Sequence, residues 1–433
     1  MKMTNTLLIG SGAREHAIAE ALCKTSELSS FMSNQNPGIK KISSLSRIGN
    51  INDPAAVTKF AKEAHAELAV IGPEAPLAAG VVDELERAGI KCFGPTKELA
   101  QLESSKSFVR ILLEKHKINA SPQLRIFNKK NSTEIEKYLT ELGEYVIKPD
   151  GLTGGKGVKV FGEHILDNAQ AIEYCKEIFA SHGTAIIEEK LEGEEFSLQS
   201  ITDGKTVVDL PAVQDHKRAF EDDKGPNTGG MGSYSDSNHS LPFLKQQDLE
   251  QAHEITVKVA AALNKDFGAY KGVMYGGFMV TRKGVKLIEY NARFGDPEAI
   301  NTIPLIKEDF SEICMSAAEG RLRQIHFEKK ATVCKYVVPN GYPEKAEITK
   351  IYVPDGIRAY YAAVEQKSDG IYSTKSRAVA TLGIADTIID AEKIAEEACN
   401  EIKGNVFHRK DIGTEKLLEK RTDHMNHVRG LNE

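Results

Sequence analysis

The sequence predicts a multidomain chain of α/β and α+β class, with a Rossmann-like parallel sheet at the N-terminus and a mixed β domain at the C-terminus. Three observations predict it. The chain has 433 residues, enough for about three ordinary domains. Over roughly the first 100 residues, apolar strand runs alternate with amphipathic helical stretches, the pattern of a parallel α/β layer. Beyond that, short strands cluster around glycine turns and a long irregular segment, which fits antiparallel pairing. The expected divisions are 1–103, 104–325 with a small subdomain at about 122–190, and 326–425.

The first strand is expected at 6–10, turning at Gly10 and Gly12 into a helix whose face carries Ala17, Ile18, Ala21 and Leu22. A second unit has a strand at 68–72, a helix at 77–88 and a strand at 90–93. A charged helix is expected over 97–116, then strands at 124–127, 145–148 and 158–161, a helix at 168–180 and a strand at 185–188. Segments 196–213 and 273–290 read as antiparallel strands, separated by an irregular loop at 214–240 and a helix near 246–266. Strand-like runs follow at 331–338, 348–353, 359–364 and 378–382, then a helix at 388–402 stopped by Gly404. The charged residues from Thr414 onward carry no readable chemistry.

Composition excludes several function classes. Apolar content is 41% and charged content 27%, so the chain can bury real cores. A net charge of −6 without a basic run speaks against nucleic acid as a partner. The six cysteines lack Cys-x-x-Cys or Cys/His ligand spacing, which fits reduced thiols. No apolar run approaches ~18 residues and no signal h-region precedes the first strand. The expectation is a cytoplasmic protein with no membrane partner.

Residues 287–298 carry the most chemistry. Glu289 and Asn291 alternate onto one face of a strand, and two hard oxygen donors there suit Mg²⁺ shared with substrate phosphates. Arg293 continues that face and can meet a carboxylate or phosphoryl group bidentately. The combination suits phosphoryl transfer, although alone it also reads as the polar end of a strand. At 148–157, Lys148 on a strand, a glycine-rich loop and Lys156 can close over a polyphosphate, at a spacing that is not the Walker pattern. The strand exit Glu188, Lys190, Leu191 and Glu195 can read an adenine edge and a ribose, or be an acidic turn. In the loop at 10–16, Glu15 replaces the third glycine of a dinucleotide fingerprint, which favours a ribosyl ligand over NAD. Asp215 and His216 lie beside four glycines and a proline in the 214–240 segment, a composition suited to a binding loop.

Together these segments resemble the phosphoribosylamine–glycine ligase family of the ATP-grasp superfamily. The resemblance runs through GSGAREHA at 10–17, GPEAPLAAG at 72–80, QLESSKSF at 101–108 and KPDGLTGGKGV at 148–158. It continues in IEEKLEGEEFS at 187–197, QDHKRAFEDDKGPNTGGMG at 214–232, EYNARFGDPE at 289–298 and HRKDIG at 408–413. It implies an ATP-grasp fold, with ATP and Mg²⁺ (or Mn²⁺) as cofactors. The substrates implied are the small molecules glycine and 5-phosphoribosylamine, joined through a glycyl phosphate, and a monomer is possible. By the same resemblance Lys106, Lys148 and Lys156 face ATP phosphates, and Glu188, Lys190, Leu191 and Glu195 surround adenosine. Glu289 and Asn291 hold the metal, while Arg293 and Asp215 border the glycine site as catalytic residues. Gly10, Gly12, Arg14, Glu15 and Glu74 face phosphoribosylamine, with Lys375 and Arg377 as candidates for its phosphate and Glu15 for its ribose hydroxyls.

Departures from the family pattern fall at Asn36–Ile39, at Asn119–Ser121 and at Lys375–Arg377. Where many superfamily members carry a second acidic metal ligand, this chain offers Phe278 and Met279. The rival readings are another ATP-grasp enzyme acting on a related ribonucleotide, a nicotinamide-dependent dehydrogenase, and a nucleotide sensor without turnover.

Overall fold

A computed structural model describes residues 3–152 and 157–431. The N-terminal layer is a five-stranded parallel sheet in the spatial order Leu45–Ile48, Ser26–Met32, Thr4–Ile9, Leu68–Ile71, Lys91–Phe93. Chain direction of travel across the sheet reverses between Thr4–Ile9 and Leu68–Ile71. Loops leaving two such neighbours diverge and open a crevice at the carboxyl ends of the strands. The loops in question carry Gly10–Arg14 and Gly72–Glu74.

Residues 26–63 supply two strands and two helices that the sequence reading did not assign. Helices Pro37–Ile42 and Pro54–Glu63 each follow an Asn or Asp cap, Asn36 and Asp53, whose side chains accept the first free backbone N–H groups. The helix expected at 77–88 is two, Glu74–Ala79 and Val81–Arg87, because Gly80 takes a left-handed φ of 88° that glycine alone adopts at little cost. The helix expected at 97–116 likewise divides into Gln101–Ser104 and Lys106–Lys115. Ser105 is extended and caps the second piece by accepting from the Phe108 N–H.

A small antiparallel sheet follows, in the order Leu124–Phe127, Ala185–Glu189, Tyr145–Pro149, Lys159–Val160. Helices Ile135–Leu142 and Asn168–Ser181 cover it, sharing a core that includes Phe127, Tyr138, Ile147 and Ile178. Beside it lies a four-stranded antiparallel sheet of two hairpins, Gly193–Thr202 with Val207–Asp209 and Gly272–Thr281 with Gly284–Asn291. The long strands expected at 196–213 and 273–290 are therefore each broken by a tight turn. Helix Gln246–Phe267 packs on this sheet.

The segment 214–240 is not irregular. It holds the hairpin Arg218–Phe220 with Lys224–Asn227, and its flanks Gln214–Asp215 and Gly232–Ser235 join the C-terminal sheet. That sheet continues through Ala331–Pro339, Val379–Ala385 and Ala359–Tyr361, under helix Ile388–Glu401. The strand expected at 348–353 shrinks to Lys350–Ile351, in a separate three-stranded sheet with Gly370–Ser373 and Val364–Lys367.

The tail after Thr414 forms helix Glu415–Val428, which packs on strand Gly193–Thr202. It buries Leu417, Met425 and Val428 and pairs Arg429 with Asp248. Among the described residues no helix is long and apolar enough to cross a membrane, and the six cysteines are free.

Candidate active site

Two adjoining cavities dominate the centre of the molecule. The larger, about 680 Å³, lies between the small antiparallel sheet and the four-stranded one. Val146, Val160, Leu191, Met279 and Ile288 give it apolar walls, and charged side chains such as Lys148, Lys190 and Glu195 line it as well. Such a slot suits a flat heterocycle carrying anionic groups. The smaller, about 400 Å³, lies under the N-terminal crevice and is lined by Arg14, Glu74, Glu103, Arg293, Glu298 and Arg377 among others. Asp215, Lys217, Thr228, Ile288 and Glu289 line both, so the chambers meet there.

Lys148, from strand Tyr145–Pro149, is 8% exposed, and its Nζ lies 2.6 Å from Glu188 Oε2 on the neighbouring strand. The other Glu188 oxygen accepts from Arg110 Nη2 and Nε at 2.8 and 3.0 Å. Burial alone would raise the Glu188 carboxyl, but the Arg110 and Lys148 cations hold it below its usual value. Arg110 also donates to the Leu287 and Ile288 carbonyls, which ties this buried triad to the strand bearing Glu289. Glu188 lines the larger cavity, and each of its oxygens already accepts from a cation, so the carboxylate holds Lys148 in place beside that cavity. Lys106 begins its helix and donates to the Gly151 carbonyl at 2.9 Å, and burial lowers its pKa against the attraction of Glu289. Lys190 pairs with Glu144 at 3.0 Å and Glu195 with Lys217 at 3.0 Å, and both line the slot with Leu191. Lys156 lies outside the described residues, as do Gly154 and Gly155 of the expected phosphate loop.

Glu289 and Asn291 stand opposite Gly277 and Tyr275 in the ladder and line the smaller cavity. Glu289 has no hydrogen-bond or ion-pair partner among the described residues. No cluster of three or more His, Cys, Asp or Glu there could cage a metal. Two free oxygen donors facing a cavity fit Mg²⁺ that draws its remaining ligands from phosphates and water. The strand ends at Asn291, and Arg293 sits in the turn beyond it. Its Nη2 is 2.9 Å from Glu103 Oε1 and its Nε 3.4 Å from Glu74 Oε2. Burial would lower the Arg293 pKa, and these carboxylates raise it instead. Burial raises the Asp215 carboxyl, with Lys217 opposing.

The N-terminal loop makes contacts of its own beside the smaller cavity. Glu15 is 3% exposed, and its carboxylate accepts from the Gly12 N–H at 2.6 Å and from Arg14 Nε at 2.5 Å. The carboxylate expected to meet ribose hydroxyls caps its own helix and holds Arg14, and neither it nor Gly10 or Gly12 lines the smaller cavity. Arg14 does reach the lining, with its Nη1 donating to the Phe294 carbonyl at 3.0 Å. Arg377 is also there, but it donates to the Gly229 and Gly230 carbonyls at 2.7 and 2.9 Å and pairs with Asp296 at 3.1 Å. It clamps the glycine loop against the turn before Pro297. Lys375 is exposed and lines neither cavity.

Several site residues escaped the sequence reading. Arg110 lies one helical turn after Lys106, a spacing that could have revealed it. Glu298, which accepts from the Tyr275 hydroxyl at 2.8 Å, lay unassigned within a noted motif. Burial and nearby Asp215 push its carboxyl up to about 7. The C-terminal helix adds Lys420, Arg421 and His424 to the mouth of the larger cavity. Arg421 bridges Asp223 of the hairpin segment and Glu194, and His424 Nδ1 is 2.6 Å from Glu194 Oε1.

Three family models match in succession: the N domain of phosphoribosylglycinamide synthetase over 4–103, its ATP-grasp (A) domain over 104–299 and its C domain over 332–415. A phosphoribosylamine–glycine ligase of Methanothermobacter thermautotrophicus is 47% identical over 98% of this chain and 99% of its own. One of Methanocaldococcus jannaschii is 48% identical at the same coverage of both. The crystal structure of phosphoribosylamine–glycine ligase from Thermotoga maritima superposes with a TM-score of 0.80 at 27% identity, covering 94% of this chain and 99% of that one. A biotin carboxylase from Campylobacter jejuni shares the fold, with a TM-score of 0.75 at 16% identity and 98% coverage of each chain.

Proposed function

Since the chain belongs to the phosphoribosylglycinamide synthetase family, we propose that its two chambers serve the successive halves of one ligation. The protein is a carbon–nitrogen ligase of purine biosynthesis that joins glycine to 5-phosphoribosylamine at the expense of ATP. The reaction proceeds through glycyl phosphate. The glycine carboxylate takes the γ-phosphoryl group of ATP, then the amine of phosphoribosylamine displaces phosphate and forms the amide.

The observation that carries this reading is the junction of the chambers at Glu289, Asp215 and Lys217. Adenosine occupies the apolar slot, with Leu191 and Ile288 against the base and Glu195 near the ribose. Lys148 and Lys106 meet the phosphates, and with Lys156 they offset charge that would otherwise repel the incoming carboxylate. Glu289 and Asn291 hold Mg²⁺ (Mn²⁺ being the alternative), which when bound stabilises charge on the transferring group. Arg293, fixed by Glu103 and Glu74, presents its remaining donors to the glycine carboxylate, and Asp215 faces the ammonium group. Phosphoribosylamine enters beneath the N-terminal crevice, where Arg14 and Arg377 line the smaller chamber. Catalysis thus comes from positioning and charge, with no covalent enzyme nucleophile.

The working divisions are 1–103, 104–325 and 326–425, in a cytoplasmic monomer that uses small molecules only. Glycine labelled with ¹⁸O in its carboxylate tests the intermediate. One labelled oxygen per turnover is expected in the phosphate released, and unlabelled phosphate would exclude glycyl phosphate.

A further inference from the structure

Attack by an amine on an acyl phosphate leaves the new bond on a cationic nitrogen, which must lose a proton before the amide is stable. A base at that step has to sit in the smaller chamber, on the side from which phosphoribosylamine arrives. Five carboxylates line that chamber besides Glu289. Glu103 and Glu74 are committed to Arg293, and Asp296 to Arg377 and the Tyr336 hydroxyl. Asp215 lines both chambers, at the junction beside Lys217. Glu298 lines the smaller chamber alone and forms no ion pair among the described residues.

Glu298 opens the short helix Glu298–Thr302, immediately after Pro297. It is 3% exposed, and its only side-chain partner among the described residues is the Tyr275 hydroxyl, on Oε1. Gly295 packs against the other oxygen so closely that an added Cβ would lie 2.2 Å from Oε2. The carboxylate is thereby held in one orientation. We propose that Glu298 is the general base that takes the proton from the amine of phosphoribosylamine as it attacks glycyl phosphate. This rests on the acyl phosphate reading above. The nitrogen lone pair forms the C–N bond, the proton passes to a Glu298 oxygen, and the C–O bond to phosphate breaks with its electron pair leaving on phosphate.

The electrostatic surroundings agree. Burial and Asp215 raise the carboxyl to about 7, while the Tyr275 hydrogen bond and Lys217 oppose that rise. Arg293, Arg377 and Cys334 complete the charged and titratable groups that face it. A base with a pKa near the working pH combines an available lone pair with adequate driving force.

The isosteric change Glu298→Gln tests this with two nucleophiles. Amide formation with phosphoribosylamine is expected to fall by on the order of 10²-fold or more. Glycyl hydroxamate formation from hydroxylamine, a less basic amine that needs less help to shed its proton, is expected to stay within about tenfold of wild type. Equal loss with both nucleophiles would overturn the proposal, since Glu298 would then serve phosphorylation or the fold. Wild-type rates of amide formation would overturn it too. Tyr275→Phe gives a second arm, because losing that donor raises the Glu298 pKa. The acid limb of the kcat profile is expected to move to higher pH, and an unmoved limb would count against the base. If wild-type enzyme made no hydroxamate and the glycine label failed to reach phosphate, the acyl phosphate reading would fall. The Glu298 proposal would fall with it, whereas labelled phosphate together with equal losses for both nucleophiles would remove Glu298 alone.

Discussion

Lys148 and Glu188 face each other across two neighbouring strands, with Nζ 2.6 Å from Oε2 and both side chains nearly sealed from solvent. Removing one partner from a buried ion pair strands the other, which costs about 3–5 kcal/mol. Glu188→Ala strands two cations, Lys148 and Arg110, and is expected to lower unfolding free energy by at least that amount. Glu188→Gln keeps the shape but frees Lys148, and the KM for ATP is expected to rise about tenfold, that is ~1.4 kcal/mol. Chemical denaturation and initial rates read the two effects separately. An unchanged KM would leave Lys148 without a role in holding ATP.

Glu289→Gln is expected to lower kcat by on the order of 10²-fold at saturating Mg²⁺, through lost charge stabilisation of the transferring phosphoryl group. The apparent affinity for Mg²⁺ should weaken in parallel. Turnover like wild type would remove Glu289 from the metal site.

The C-terminal helix lines the larger cavity, and Arg421 joins Glu194 to Asp223. Arg421→Ala is expected to raise the KM for ATP several-fold and to speed proteolysis within 218–227, while the KM for glycine stays constant. Leaving Glu194 buried with a weaker counter-charge should also cost about 1–3 kcal/mol in stability. If neither KM nor cleavage rate moved, the helix would be only a surface brace.

Acid sensitivity follows from two buried histidines. Burial lowers His16 to about 4 and His216 to about 3, and neither ring nitrogen of His216 has a partner among the described residues. The unfolded chain takes up these protons first, at about 6.5. Stability is therefore complete above that pH and is lost progressively as pH falls toward the two folded values. Denaturant midpoints are expected to drop between about pH 7.5 and pH 5, and less steeply in His216→Asn. Parallel slopes in the two proteins would assign the acid loss elsewhere.

The strand period and the glycine-loop pattern pointed to Glu289, Asn291 and Lys148, and the fold brings all three to cavity walls. The sequence hid what depends on distant partners. Glu15 reads as a free carboxylate until the fold brings Gly12 N–H and Arg14 onto it. Arg377 reads as a free cation until the Gly229–Gly230 carbonyls take its donors. Glu298, at the start of a short helix, gains its meaning from Tyr275 on the strand Gly272–Thr281. The charged tail looked featureless because its helix buries only a few apolar residues and is held mainly by ion pairs. Strands at 26–32 and 45–48 were missed because serines interrupt their apolar pattern, although the Asn-Pro and Asp-Pro caps at 36–37 and 53–54 mark helix starts nearby.

The central claim is that ATP cleavage is committed to joining glycine and phosphoribosylamine where the two chambers meet. The most direct test measures ADP and amide product together, with each substrate omitted in turn. Equal amounts of ADP and glycinamide ribonucleotide are expected when ATP, glycine and phosphoribosylamine are all present. Neither product is expected in steady state when glycine or phosphoribosylamine is left out. Steady ADP release without one of them, or ADP without the amide when both are present, would contradict that claim.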